Sequence, residues 1–250
     1  MDVLGIPVGQ PLLAKWCGWL MPLEQPFLVP RTITGNLGLI DDRDRLKPES
    51  RDSFMLYRLQ SDQAVCWLNQ QESRRLPVAV RRSQPAAHRW PRDGDDGIAR
   101  VVRYVEHRRR PSRHREVAEL TWRRVADYLP AARALAGTFP AMSGPNCFGT
   151  VMGAAGVRGA ADTWLLREPF EEWLAATTQD GGSDQDIGTV LVWRGDNGSV
   201  QHSAVTLGDG WALHKPSQGW MAPIKVLPVR DAKLSSRSPG IHLQRRRINS

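Results

Sequence analysis

The order of elements predicts an α+β fold for the C-terminal half of the chain, with a cysteine-bearing helix packed on an antiparallel sheet. Two observations predict it. Ser143-Gly144-Pro145-Asn146 is a cluster of turn and helix-start residues. It delivers Cys147 to the first turn of an apolar, small-residue helix, CFGTVMGAAG, which Gly156 can close. A second helical piece is expected around Trp164 to Ala176, and a glycine-rich loop then leads to short apolar runs separated by hairpin signals. These runs are Gly188 to Trp193, His202 to Leu207 and Trp211 to His214, joined by Gly195-Asp196-Asn197-Gly198 and Gly208-Asp209-Gly210. Helix first and meander second is an α+β order.

The front of the chain is less regular. Residues 1 to about 50 are rich in proline, glycine and turn formers, without a sustained period. Ser53 to Gln71 is denser and predicts a short helix with Met55, Leu59, Val65 and Leu68 on one face. From 81 to 97, RRSQPAAHRWPRDGDDG has the composition of a partly disordered linker, and the domain boundary is placed near it. The basic run His107 to Arg115 precedes a clear helix with a buried stripe of Ala118, Trp122, Val125 and Leu129, which Pro130 should end. Residues 1–110 thus form an N-terminal region whose fold is left open. Residues 111–233 form the α+β domain, and 234–250, ending QRRRINS, read as an exposed basic tail.

Composition bounds the function. The net charge of +8 across 250 residues rests mainly on arginine, whose charge is permanent and pairs readily with carboxylates and phosphates. Cys17, Cys66 and Cys147 are odd in number, far apart and free of any CxxC spacing, which argues against a disulfide framework or a zinc site. The N-terminus carries no signal-peptide pattern, and no window reaches the run of about 18 apolar residues that a spanning helix needs. A cytoplasmic location follows as the expectation, with export by another route left open.

The chemistry centres on Cys147. A thiol is a poor nucleophile until it ionises, and a helix N-terminus offers partial positive charge and free N–H groups that stabilise a thiolate. The same N–H groups could receive the oxyanion of an acyl-transfer intermediate. Histidine is the natural base near neutral pH, and His202 begins the strand after the first hairpin. His214, twelve residues on, is placed to orient its imidazole. With a three-residue loop at 208–210, Leu207 faces Trp211 and Ala204 faces His214. Both histidines then share a face as diagonal neighbours about 7–8 Å apart. A two-residue loop would part them, so the arrangement predicts an odd loop or a bulge here.

The succession Asn146-Cys147-Phe148-Gly149, Gly188 to Trp193, His202 to Gly210 and Ala212 to Ser217 resembles the NlpC-type superfamily of bacterial cell-wall cysteine peptidases, over about 90 residues within 143–231. The resemblance implies a papain-like core with Cys147 as nucleophile, His202 as general base and His214 as orienting residue. It implies cleavage of amide bonds, commonly in peptidoglycan peptides, with no metal or cofactor. Family members usually carry an acidic residue before the cysteine and a serine after it, where this chain has Asn146 and Phe148. The usual Tyr-x-Trp-Gly-Gly segment ahead of the cysteine is missing. A bulky Phe148 ring beside the nucleophile would reshape the acyl pocket.

Two alternatives accompany the peptidase or amidase reading. An acyltransferase of the same fold would pass the acyl group to an amine in small-molecule biosynthesis. A non-catalytic polyanion binder would use the arginine runs, although the tryptophans are not interleaved with arginines as a nucleic-acid stacking platform requires.

Overall fold

A computed structural model describes residues 1–91, 94 and 96–249. The chain divides into two units, Val8–His107 and a second made of Met1–Pro7 with Arg108–Ser250. Among the described residues no helix is long and apolar enough to cross a membrane.

The Val8–His107 unit opens with α1 (Gln10–Leu20), which Pro11 starts and which turns Leu13, Trp16 and Leu20 inward. Strand β1 (Gln25–Pro30) pairs antiparallel with β2 (Gln63–Leu68), and α2 (Pro48–Phe54) lies between them in the chain. Helix α3 (Gly97–Glu106) buries Val101 and Val105, and the Asp96 side chain accepts from Ala99 N–H at its start.

One expectation is corrected in this unit. Part of the Ser53–Gln71 stretch, expected to be helical, is strand β2. Ala64, Val65, Cys66 and Leu68 are all buried, so consecutive side chains pack on both faces and no helical stripe exists. Within the 81–97 linker, described residues pack along β1. Gln84 Oε1 accepts from Leu28 N–H at 2.9 Å and its Nε2 donates to Leu28 O at 2.9 Å, so one side chain imitates a neighbouring strand along β1. His88 then stacks on Phe27 with ring centroids 3.7 Å apart. Arg92, Asp93 and Asp95 lie outside the described residues.

The second unit is α+β. Helices α4 (Glu119–Ala126), α5 (Cys147–Ala154) and α6 (Arg167–Thr177) precede the strands. Helix α4 buries Trp122 and Val125 with Leu129 beyond its end, while Ala118 stands exposed at its start. The strands are β3 (Thr178–Asp180), β4 (Ile187–Gly195), β5 (Val200–Gly208), β6 (Trp211–His214) and β7 (Lys225–Pro228). Helix α7 (Val229–Ser235) and strand β8 (Ile241–Ile248) follow. All pairings are antiparallel, in the spatial order β3-β8-β4-β5-β6-β7.

Strand alternation gives the sheet two apolar faces. Val190, Val192, Val205, Leu207 and Leu213 join the core that contains α5, with Val151, Phe170 and Leu174. Leu191, Trp193, Ala204, Ala212 and Leu227 face the other way, toward Val229 and Ala232 of α7. Each valine, leucine or phenylalanine among them contributes roughly 1.5–3 kcal/mol when fully buried, so both faces anchor the strands that hold the site.

The 234–250 tail is also corrected, because about half of it, Ile241–Ile248, is β8, an interior strand. Its arginines read as solvated charge, yet two of them reach carboxylates on neighbouring segments. Arg246 bonds Asp180 at 2.6 Å, and Arg245 bonds Asp184 at 2.9 Å. The backbone meanwhile pairs with β3 and β4. Long cationic side chains with paired heads are compatible with a central strand when their stems lie along it.

Candidate active site

Cys147 is the first residue of α5, and the loop before it is tied down on several sides. Ser143 Oγ accepts from Trp220 N–H at 3.1 Å, and Gly144 N–H donates to Gln218 O at 2.9 Å. Asn146 is the N-cap. Its Oδ1 accepts from Gly149 N–H at 3.0 Å and its Nδ2 donates to Leu165 O at 2.7 Å. The helix therefore begins where the sequence places it, and Gly156, with φ of +95°, takes the left-handed position beyond its end.

Gly149 shows how closely this helix is held. A Cβ at that position would meet Ala160 O at 2.2 Å, and a backbone carbonyl cannot swing aside as a flexible side chain can. Gly149→Ala is expected to cost about 3 kcal/mol of stability, read as a lower urea midpoint at unchanged slope.

The Cys147 side chain is 8 % exposed and lies in the helix-side core. Burial pushes its thiol pKa up. The Ser203 N–H and hydroxyl and the Cys147 and Phe148 N–H groups pull the other way without offsetting it. The sulfur is thus a protonated thiol near neutrality rather than the thiolate expected from helix position alone. Ser203 Oγ is buried with no hydrogen-bond partner among the described residues, and it acts on the thiol only electrostatically.

Both imidazoles come together, as the spacing predicts. Ala204 pairs with His214 across β5 and β6, and the register shifts between Thr206 and Gly208, which is the expected bulge. The turn differs in detail. Gly208, rather than Leu207, faces Trp211 across Asp209 and Gly210, which take φ of +50° and +77°. His202 Nε2 and His214 Nε2 are 2.9 Å apart, with the rings edge to face.

His202 lies opposite Trp193, with ring centroids 5.2 Å apart, on the sheet face away from Ser203. Among the described residues no hydrogen bond joins the sulfur to either imidazole. The sulfur and the rings approach β5 from its two sides, at adjacent residues. Strand β6 ends at His214, opposite Ala204, so β5 has no strand neighbour on that side at 202 and 203.

Burial pushes the His202 pKa down to about 4. His214 is pushed well below the ordinary histidine value, first by burial and then by the nearby charges of His202, Lys225 and Lys215. Both rings are neutral at pH 7. One Nε2 must therefore donate its hydrogen to the other, and either tautomer pair meets the observed distance. Lys225 lies directly across from His214 and donates to Arg110 O at 2.9 Å, while Ser236 Oγ lies 3.3 Å from His214 Nε2.

Ser203, Lys225 and Ser236 escape a reading by motif. Alternation was the available signal for Ser203, since the residue after a strand histidine faces the opposite side. The Phe148 ring, expected to reshape an acyl pocket, instead stacks on Phe170 with centroids 4.6 Å apart, inside the core. No family model, curated protein or solved structure matches this chain.

Proposed function

We propose that the protein is a cysteine-dependent amide hydrolase with a papain-like, NlpC-type core, in which Cys147 is acylated by substrate and His202 serves as base. The observation that carries this reading is the His202–His214 pair at 2.9 Å, set one residue from Ser203, whose polar groups act electrostatically on a helix-tip cysteine. Bonding through Nε2 leaves His202 Nδ1 outside the pair, available for a thiol proton.

This reading requires His202 Nδ1 and the sulfur to meet around the open edge of β5 while Nε2 keeps its link to His214. The thiol gives its proton to Nδ1 as Sγ bonds to the carbonyl carbon, and the carbonyl oxygen becomes an oxyanion. The N–H groups of Cys147 and Phe148, left free by the Asn146 cap, are its donors. The imidazolium then protonates the departing amine. A water, deprotonated by neutral His202, releases the acid and restores the thiol. His214 supports the charged stage by accepting His202 Nε2–H, because a neutral imidazole with Nδ1 protonated presents a lone pair at Nε2.

Substrates in this reading are peptide or amide compounds, peptidoglycan fragments among them. The polyanion-binding alternative draws less support, because many arginines of its basic runs are occupied. Arg110 pairs with Asp231, Arg113 with Glu116, Arg115 with Asp2 and Arg245 with Asp184.

Intact mass spectrometry after mixing with a panel of peptide and muropeptide amides tests the proposal. A transient acyl adduct that maps to Cys147 and disappears in Cys147→Ala is the expected result. Amide cleavage that persists in Cys147→Ala ends the proposal. Adding amines to the same reaction separates hydrolysis from acyl transfer.

A further inference from the structure

We infer that the hollow beside α7, over β4 and β8, is a binding site for an amphipathic carboxylate, with an apolar body and a single negative charge. It encloses about 550 Å³, within the range of small-molecule sites. Trp193, Ile241 and Leu243 supply apolar surface, and all three belong to the sheet face that α7 covers. That surface demands an apolar body.

The rim demands an anion. Arg230 and Arg237 both line the hollow and are exposed, and neither side chain has an ion-pair partner among the described residues. The one carboxylate at the rim, Asp184, is already matched. Lys233 Nζ lies 2.7 Å from it, and Arg245 bonds it at 2.9 Å. Burial alone would raise the Asp184 pKa, but these two cations outweigh it and the group stays ionised. Two guanidinium charges are thus left over at the mouth of an apolar space. A carboxylate with a hydrocarbon body satisfies both features, a neutral alcohol only the first, and an alkylammonium ion would be repelled.

The site touches the imidazole pair indirectly. Trp193 packs on His202, and Arg237 follows Ser236, whose hydroxyl lies near His214. Binding itself requires no part of the acyl-transfer chemistry, so it stands or falls separately from the proposed hydrolase activity.

Calorimetric titration of the full chain with decanoate, decan-1-ol and decyltrimethylammonium, each below its micelle concentration, provides the test. The expected result is saturable one-to-one binding of decanoate, tighter than the alcohol, with no binding of the cation. Arg230→Gln combined with Arg237→Gln should weaken decanoate about tenfold and leave the alcohol unchanged. Both arginines are exposed and have no ion-pair partner among the described residues, so an unchanged circular dichroism spectrum is expected for this variant. Cys147→Ala should bind decanoate like the parent. The inference is overturned if decanoate does not bind, if it binds no tighter than the alcohol, or if the double variant keeps full affinity.

Discussion

His202→Ala is expected to lower kcat/KM by on the order of 10³-fold for any amide that acylates Cys147, because a general base and acid is removed from both halves of the reaction. The loss should fall on kcat, since the imidazole acts on protons in transit rather than on bound substrate. His214→Ala should cost about a hundredfold by leaving the imidazolium Nε2–H without its acceptor, whereas His214→Asn supplies an amide oxygen and should recover much of that loss. The pH profile separates this role from a merely structural one. With His202 held down to about 4 by burial, the base stays neutral well into acid, so the acidic limb of kcat/KM should fall near pH 4 rather than near 6.5. A limb near 6.5, or His202→Ala activity within threefold of the parent, would contradict the assignment.

The legible part of the site was the part written in local signals. Asn146 before Cys147, and Gly156 after the small-residue run, state a helix start and stop within ten residues. Likewise the 202 and 214 spacing, with glycines at 208 and 210, specifies a bulged hairpin that aligns two rings. Illegible were features decided by distant partners. Strand β8 looks like a tail because its arginines find Asp180 and Asp184 some 60 residues away in sequence. Strand β2 looks helical because burial on both faces removes the alternation that would mark it. The ionisation state of Cys147 also lay beyond the sequence. A helix tip lowers a thiol pKa and burial raises it, and which prevails depends on how deeply Ser203 and the core enclose the sulfur.

Acid should destabilise the fold in a window set by the same imidazoles. His202 has a folded pKa of about 4 against an ordinary value of 6.5, so above 6.5 both folded and unfolded chains carry it neutral and its full contribution is present. As pH falls from 6.5 toward 4 the unfolded chain takes up a proton that the native chain refuses, and stability declines. Below about 4 both states are protonated and this loss levels off. The shift corresponds to roughly 3 kcal/mol for His202. His214, opposed further by Lys215 and Lys225, acts in the same direction. Glu171, whose carboxyl Arg194 holds low, begins to lose its contribution only below its ordinary value of 4.5, so it falls largely outside this window. His88 and His114, both also lowered by burial, add to the slope of every variant alike. The difference between two chains is therefore the informative quantity. Urea unfolding of the parent and of His202→Gln at pH 7, 5.5 and 4 should show the parent losing about 3 kcal/mol more over that range, whatever the variant's stability at pH 7. Parallel profiles would mean that His202 is solvated enough to accept its proton in the native state, and the neutral imidazole pair on which the base assignment rests would not exist.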